Sequence, residues 1–397
     1  MPKPPQPRET AALLRLSEDM TQALRATIAS SPLAGLGPIE VARILGMDKT
    51  STSRLMSALR ATDPLVALSL LPGVVPLRQF IVAARKHGAG ARATEAAERR
   101  LRAFDHELQR VFGNRTRLDA VIADALPEAR RRHEVTARQA VFRGMAMIKG
   151  VSIDLESFTW VVHPSRRDRR RVDILFLAGF VGVHRLRPTA RFRVGGSHAR
   201  KSPETRARLL RQFCRPAALS VVTSSEKDFT FYEIATRSVR RDAAADVFLT
   251  ELMPHAGLVK EPPRVAGEWS VGDALMYPIK RLELALLVHE DAWAGCDFSL
   301  RAYDTAGRGL VQLPDPEREV DRLSLDAEVE RGPVTDETLR GSSAPNYAQI
   351  LRHLTAPLGW KWESASGRPV FRRFGCEIAY PLYGAQVLLV REDHGRV

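Results

Sequence analysis

The chain has 397 residues, of which 44% are hydrophobic and 27% are charged, so it can form cores for two or three domains. Its three cysteines lie far apart and form no CxxC motif, which argues against a disulfide framework and against a cysteine-based zinc site. The best apolar run, residues 172–183, contains Asp173 and is too short for a membrane span, and the first ten residues lack the apolar segment of a secretion signal. We therefore expect a cytoplasmic protein without a membrane partner.

The positive charge is concentrated in the first half of the chain. The net charge is +14, and residues 1–200 carry 34 lysines and arginines against 18 acidic residues, whereas residues 251–350 carry 10 against 18. A basic half of this kind favours a polyanionic partner. An arginine-rich genome would also raise the total charge, but it explains the asymmetry less well.

In chain order, the first 150 residues show helical spacing of their apolar positions. The pattern predicts helices over residues 9–30, 39–45, 49–60, 76–88, 94–112 and 117–148, the last interrupted near Pro127. Thr62-Asp63-Pro64 and Leu71-Pro72-Gly73 are expected to break the chain.

Beyond residue 150 the pattern becomes typical of β-strands. The segments VSIDLESFTWVVHP and VDILFLAGFVGVHRLRP are rich in Val, Ile and Phe, and the charged SRRDRRR between them fits a hairpin turn. Residues 195–205 are predicted to be a linker. Further short strands follow, with one helix over NYAQILRHLTAPLGW and a final strand pair over FGCEIAYPLYGAQVLLVRE.

The most specific signal is the segment VARILGMDKTSTSRLMSALR, residues 41–60. Ala42 is small enough for a second helix to pack closely, and Gly46 permits a left-handed backbone in the turn. Asp48 is placed to cap the next helix. Thr52, Leu55 and Leu59 then fall on one face, which predicts that Lys49, Thr50, Ser53 and Arg54 point outward on the other.

This segment resembles the helix-turn-helix of bacterial transcription regulators, at Ala42, Gly46 and Ser53-Arg54. Over residues 10–90 it looks like the winged variants of MarR-type and IclR-type regulators. Two departures are visible: Thr52 stands where the motif usually has Val or Ile, and the segment ATDPLVALSLLPGVV is apolar and carries one charge where a wing would be a basic hairpin. The resemblance implies a DNA-binding domain that acts as a dimer.

The outward face predicts the DNA contacts. Short hydroxyl side chains let a helix approach the major groove, and arginine reaches guanine or phosphate. The candidate DNA-binding residues are Lys49, Thr50, Ser51, Ser53, Arg54, Arg60 and Arg43. A plain two-helix corner, or a protein-docking motif, would show a similar pattern.

Other clusters carry weaker signals. Arg130–His133 and the turn Arg166–Arg171 fit solvated surfaces slightly better than phosphate contacts, and Arg185, Arg187, Arg191 and Arg193 are expected to project from one face of a strand. His163 fits a strand end, and His289-Glu290-Asp291 alternates across a strand, so three successive metal ligands are unfavourable. No catalytic motif is present, so we expect no catalytic residues, no metal site and no cofactor.

These observations predict an α+β protein in three parts: an N-terminal all-α, winged helix-turn-helix domain (1–92), a helical connector with a possible dimer contact (93–148) and a β-rich region (149–397). The β-rich region is expected to divide into two lobes near 195–215. The function they favour is a sequence-specific transcription regulator that is not an enzyme, binds double-stranded DNA as a homodimer, and senses an effector or oligomerises through its C-terminal region. The alternatives are a nucleic-acid-processing enzyme with a DNA-targeting arm, and a protein–protein interaction module.

Overall fold

The structure, a computed structural model, describes residues 7–195, 207–216, 221–226, 229–234, 243–259 and 269–392. The chain divides into two compact units, residues 1–134 and 135–397. Helices make up the described part of the first unit, and the second is rich in strands. The expected α+β class, with a helical N-terminal part and a β-rich C-terminal part, is therefore confirmed.

Between residues 7 and 149, all of which the structure describes, eight helices run in succession. They are α1 (Pro7–Ala29), α2 (Pro38–Leu45), α3 (Lys49–Arg60), α4 (Pro64–Leu70), α5 (Val74–Lys86), α6 (Ala91–Phe112), α7 (Arg115–Ala125) and α8 (Pro127–Lys149). Several helices begin directly after a residue whose side chain can cap a helix N-terminus. Asp63 caps α4 by accepting from Leu65 and Val66 N–H, and Asn114 caps α7 by accepting from Arg117 N–H.

The core of the first unit is shared by α1 to α7. Its fully buried members include Met20, Leu24 and Phe80, and it continues into the apolar stripe of α6, which is formed by Leu101, Phe104, Leu108 and Phe112. That stripe lies in the predicted connector, where a dimer contact was expected as a possibility, and it is covered within one chain. The predicted boundary at residue 92 does not separate two cores, because α6 and α7 pack into the same one as the preceding helices.

The segment after α3 is helical. Residues 64–70, most of which the sequence left unassigned between two predicted breaks, form α4, because Asp63 supplies a cap and Pro64 occupies the first helical turn. The described residues 7–149 contain no strand, so no β-hairpin follows α3 in the position of a wing.

The second unit is built on a seven-stranded sheet. Its main strands are β1 (Val151–Pro164), β2 (Arg171–Arg185), β7 (Ala245–Leu258), β9 (Ile279–His289) and β13 (Phe371–Ala379), with the short β4 (Arg208–Leu209) and β12 (Glu330–Pro333) at the edges. The order is β12-β13-β9-β1-β2-β7-β4. The predicted hairpin around SRRDRRR is confirmed: β1 and β2 pair antiparallel, from Val151 opposite Arg185 to Pro164 opposite Val172. On its other side β1 runs parallel to β9.

The remaining strands of the described residues form two smaller sheets. A four-stranded sheet contains β8 (Ser270–Ala274), β10 (Asp297–Asp304), β11 (Arg322–Leu323) and β14 (Ala385–Glu392), and a three-stranded one contains β3 (Arg193–Gly195), β5 (Val221–Glu226) and β6 (Phe229–Ile234). Most of the predicted linker 195–205, and much of the predicted lobe boundary near 195–215, lie outside the described residues.

The two faces of the large sheet are covered differently. One face shares a core with the four-stranded sheet, where Phe158 and Trp160 of β1 join Phe298 and Leu389. The other face is covered by α9 (Asp336–Arg340) and α10 (Tyr347–Thr355), which bury residues such as Leu339, Ile350 and Leu354. The Tyr347 hydroxyl fixes α10 to the sheet through a 2.8 Å hydrogen bond with the Thr159 hydroxyl.

Among the described residues no single helix has the length and apolarity needed to span a membrane, although the bent pair α4 and α5 passes that test when the two are combined.

Candidate nucleic-acid interface

The turn between α2 and α3 has the geometry that its sequence predicts. Gly46 adopts the left-handed conformation, with φ 62°, and its N–H donates to the Ala42 carbonyl. Asp48 is extended, and its carboxylate accepts from Ser51 N–H at 2.7 Å. The Ser51 backbone donor lowers the pKa of Asp48 from its ordinary value, because it favours the charged carboxylate. The start of α3 is therefore set by Gly46 and Asp48.

The inner face of α3 is fully packed. Leu55 and Leu59 join the core, and Thr52 is completely buried. The Thr52 hydroxyl, which departs from the Val or Ile of the motif, donates to the Asp48 carbonyl at 2.9 Å. Because that hydroxyl has a partner inside the helix, threonine occupies the position without an unpaired polar group.

The outer face of α3 is exposed and contains no carboxylate. Lys49, Thr50, Ser53, Arg54 and Arg60 are exposed, as predicted from their spacing, and Ser57 extends the same face. Ser51 is only half-buried and belongs to the capping turn, and Arg43 is exposed in the last turn of α2. Ser57 was not among the predicted contact residues, although its spacing from Thr50 and Ser53 places it on this face.

Arg54 does not project straight outward. One of its Nη atoms donates to the Ser69 carbonyl at 3.4 Å, which turns its guanidinium towards the end of α4. Burial and the neighbouring charge of Arg115 lower the pKa of Arg54 from its ordinary value. The Arg54 guanidinium therefore lies at the flank of α3, near the C-terminal end of α4.

The C-terminal end of α3 is held by α1. Arg25 donates through Nε to the Leu59 carbonyl at 2.6 Å and through Nη2 to the Ala61 carbonyl at 3.0 Å. These bonds satisfy carbonyls that a helix end leaves without partners. With Asp48 at one end and Arg25 at the other, α3 is fixed in orientation before any ligand binds.

The other arginine clusters have local partners. Arg130 donates to the Ala123 carbonyl at 3.2 Å, at the end of α7, and Arg171 lies 3.7 Å from the carboxylate of Asp168 in the β1–β2 turn. The prediction that four arginines share one strand face is wrong, because β2 ends at Arg185 and β3 begins at Arg193. The residues between them form turns and loop rather than strand.

Two histidines lie together at the end of the large sheet. The His163 ring stacks on Trp360 at 4.8 Å and meets His289 edge-on at 4.6 Å. Burial lowers the pKa of both histidines, which favours neutral rings. Among the described residues no group of three or more His, Cys, Asp or Glu side chains is arranged to hold a metal ion, so His289, Glu290 and Asp291 form no such group.

Folding also brings together polar side chains whose proximity sequence spacing could not reveal. Asp154 of β1 accepts from Lys280 Nζ at 2.6 Å and contacts His184 Nε2 at 2.9 Å, which brings together residues from β1, β2 and β9. Ser152 lies directly opposite His184 in the β1–β2 register. A carboxylate that orients a histidine is a common feature of catalytic sites and of structural polar networks.

The second unit also contains a groove of about 750 Å³ beside β12 and β13, lined by Cys296, Phe374 and four arginines. Arg331 and Arg368 are paired with Asp297 and Glu290, at 2.6 and 2.7 Å. Arg373 lies 3.1 Å from Glu330, and Arg372 donates to the Trp293 carbonyl at 3.4 Å, so the groove keeps the positive charge of Arg372.

Comparison with known proteins provides no assignment. No family model matches the chain, and no curated protein matches it. A solved structure described as a "putative protease" from Parabacteroides distasonis has 7% identity and a TM-score of 0.28, over 62% of this chain. The chain spans 41% of the length of that protein. A likeness this weak supports neither a fold assignment nor a function.

Proposed function

We propose that the chain is a DNA-binding transcription regulator that inserts α3 into the major groove of double-stranded DNA. The observation that carries this proposal is the outer face of α3, which has Lys49 and Arg60 at its ends, hydroxyls and Arg54 between them, and no carboxylate. Its orientation is fixed by Gly46, Asp48 and Arg25. A preorganised helix loses less conformational freedom when it binds.

The residues divide by role. Lys49, Arg60 and Arg43 supply contacts to phosphates, which provide affinity and salt dependence without sequence choice. Thr50 and Ser53 are short enough to let α3 approach base edges and to hydrogen-bond there. Ser51 supports them by holding the capping turn.

A homodimer in the cytoplasm would place two such helices about one DNA turn, roughly 34 Å, apart. The β-rich unit would then sense an effector or oligomerise, and would shift the equilibrium between spacings of the two helices. This coupling rests on the division of the chain into a helical and a β-rich unit.

The test is selection of bound duplexes from random DNA, followed by fluorescence anisotropy on the selected site at several salt concentrations. Lys49→Ala should weaken binding to all sequences and reduce the salt slope of log K by about 0.9, the value for one lost phosphate contact. Lys86→Ala, the same charge change on the exposed surface of α5, is the matched control. Failure to enrich any sequence, or equal effects of the two variants, would refute the proposal.

A second candidate is a nucleic-acid-processing enzyme that uses α3 as a targeting arm. The Asp154–His184–Lys280 constellation favours it, because it places a half-buried histidine, oriented by a carboxylate, in the second unit. Cleavage of DNA or RNA by the full chain that His184→Ala abolishes would establish this function. Equal cleavage by the wild type and by His184→Ala would show that this constellation is not the catalytic site.

A further inference from the structure

Arg372 differs from the other three arginines of the groove beside β12 and β13. Those three form ion pairs at 2.6, 2.7 and 3.1 Å, namely Arg331 with Asp297, Arg368 with Glu290 and Arg373 with Glu330. No carboxylate of the described residues lies within ion-pair distance of Arg372. Its side chain donates from Nη2 to the Trp293 carbonyl at 3.4 Å, whereas a guanidinium has five N–H groups. Most of its donors are therefore available to a ligand.

The guanidinium of Arg372 is held beside an aromatic ring. It lies 5.5 Å from the ring centroid of Phe374, two residues further along β13, and Phe374 is itself buried. A cation–π contact orients the guanidinium without using its N–H donors. Because side chains two apart on a strand share a face, Arg372 and Phe374 present a cation and an apolar surface side by side.

The backbone of Trp293, which meets Arg372, is strained. Trp293 has φ 47°, a left-handed conformation that bulky residues rarely adopt. Its ring is buried and its Nε1 donates to the Leu258 carbonyl at 3.0 Å, so packing maintains the conformation. Strain of this kind is concentrated at ligand-binding and catalytic sites. Gly295 and Cys296, which follow directly, are part of the groove lining.

The rest of the groove fits a small molecule with one negative charge. Its volume is about 750 Å³ and its surface is mostly apolar, with Val370 and Pro369 among the lining residues. Small-molecule sites commonly combine an apolar wall with a few oriented polar groups. One guanidinium can hold one carboxylate through two parallel hydrogen bonds. A dianion such as phosphate is less favourable, because the carboxylates of three ion pairs lie nearby.

We propose that this groove binds a small organic acid, whose carboxylate pairs with Arg372 and whose apolar body lies against the groove wall. The site is independent of the proposed DNA binding, since all its residues belong to the β-rich unit. A merely solvated arginine at this position would attract carboxylates no better than an exposed arginine elsewhere in the same unit, which provides the control.

The test is saturation-transfer NMR of the full chain with 2-naphthoate, and with 2-naphthamide as its uncharged counterpart of similar shape, at constant ionic strength. Naphthoate should bind about tenfold more tightly than naphthamide. Arg372→Gln should weaken naphthoate binding by about the same factor and leave naphthamide binding unchanged. Arg169→Gln, which makes the same charge change at an exposed position of the β1–β2 turn, should bind both compounds as the wild type does.

A second variant separates ligand recognition from folding. Arg372→Lys keeps the charge but lacks the two parallel donors, so its affinity for naphthoate should lie between those of the wild type and Arg372→Gln. Urea unfolding checks that each variant is folded. No binding of naphthoate, equal binding of naphthamide by the wild type, or wild-type affinity for naphthoate in both Arg372 variants would overturn the proposal.

Discussion

Glu156 should make the stability of the second unit fall as the pH rises. Its side chain is 3% exposed on β1, between Phe180 of β2 and Leu282 of β9 in the strand register, and its Oε2 has no partner among the described residues. Burial, and then the charge of Asp273, raise the pKa of Glu156 well above its ordinary value of 4.5.

The sign follows from which state holds the proton. Above pH 4.5 the unfolded chain loses the Glu156 proton while the folded chain keeps it, so unfolding becomes more favourable with rising pH. One proton corresponds to about 1.4 kcal/mol for each pH unit, until the pH reaches the raised folded pKa. Glu156→Gln keeps the shape of the protonated acid and cannot ionise, so it removes this loss.

The assay is urea unfolding of the wild type and of Glu156→Gln at several pH values above 4.5. The advantage of the variant should grow by about 1.4 kcal/mol for each pH unit. Asp273, whose pKa is also raised because desolvation disfavours its charge, is coupled to Glu156, so the comparison is repeated in an Asp273→Asn background, where its titration cannot contribute. Glu337→Gln, on the exposed surface of α9, should show no such growth. Parallel pH profiles for wild type and Glu156→Gln would refute the reasoning.

Three further predictions concern single contacts. The stabilisation of α3 by the Asp48 cap should be fully present above pH 3.8 and be lost as the pH falls through the lowered pKa of Asp48. Asp48→Asn keeps a side-chain acceptor without the charge, so the helicity measured by circular dichroism should fall less with acid in this variant than in the wild type. Thr52→Val should change the free energy of unfolding by about 1 kcal/mol or less, because the Asp48 carbonyl keeps its 3.0 Å bond from Thr52 N–H; a larger loss in urea would show that the hydroxyl is essential. Asp321→Ala should lower the free energy of unfolding by about 3 kcal/mol, because it removes the carboxylate that lies 2.6 Å from Arg318, whose side chain is 6% exposed. A change within the error of the urea measurement would contradict this.

Sequence analysis predicted those elements whose signals are local. Gly46 alone predicts the turn after α2, and Asp48 alone predicts the start of α3. The charged segment SRRDRRR predicts the hairpin turn between β1 and β2. The helix α4 was missed because Asp63 and Pro64, which begin it, are equally typical of a chain break.

The candidate sites were predictable only where one helix carries them. The exposed residues of α3 follow from a spacing of three and four, whereas Arg54, Arg115 and Arg132 meet at the end of α4 although Arg54 and Arg132 lie 78 positions apart. Likewise, Asp154 meets Lys280 only because β1 and β9 are parallel neighbours in the sheet. Such contacts depend on tertiary packing, which no local pattern encodes.

The parallel pairing of β1 with β9 also sets an order of events during translation. Ile153 lies opposite Ile279, so at ordinary elongation rates β1 leaves the ribosome on the order of ten seconds before its partner. During that interval the β1 edge of the β1–β2 hairpin has no partner, and its β2 edge has none until β7 emerges, so both edges are open to strands of other nascent chains. The preceding helices, whose contacts are mostly local, can complete their fold before β9 is available to pair with β1.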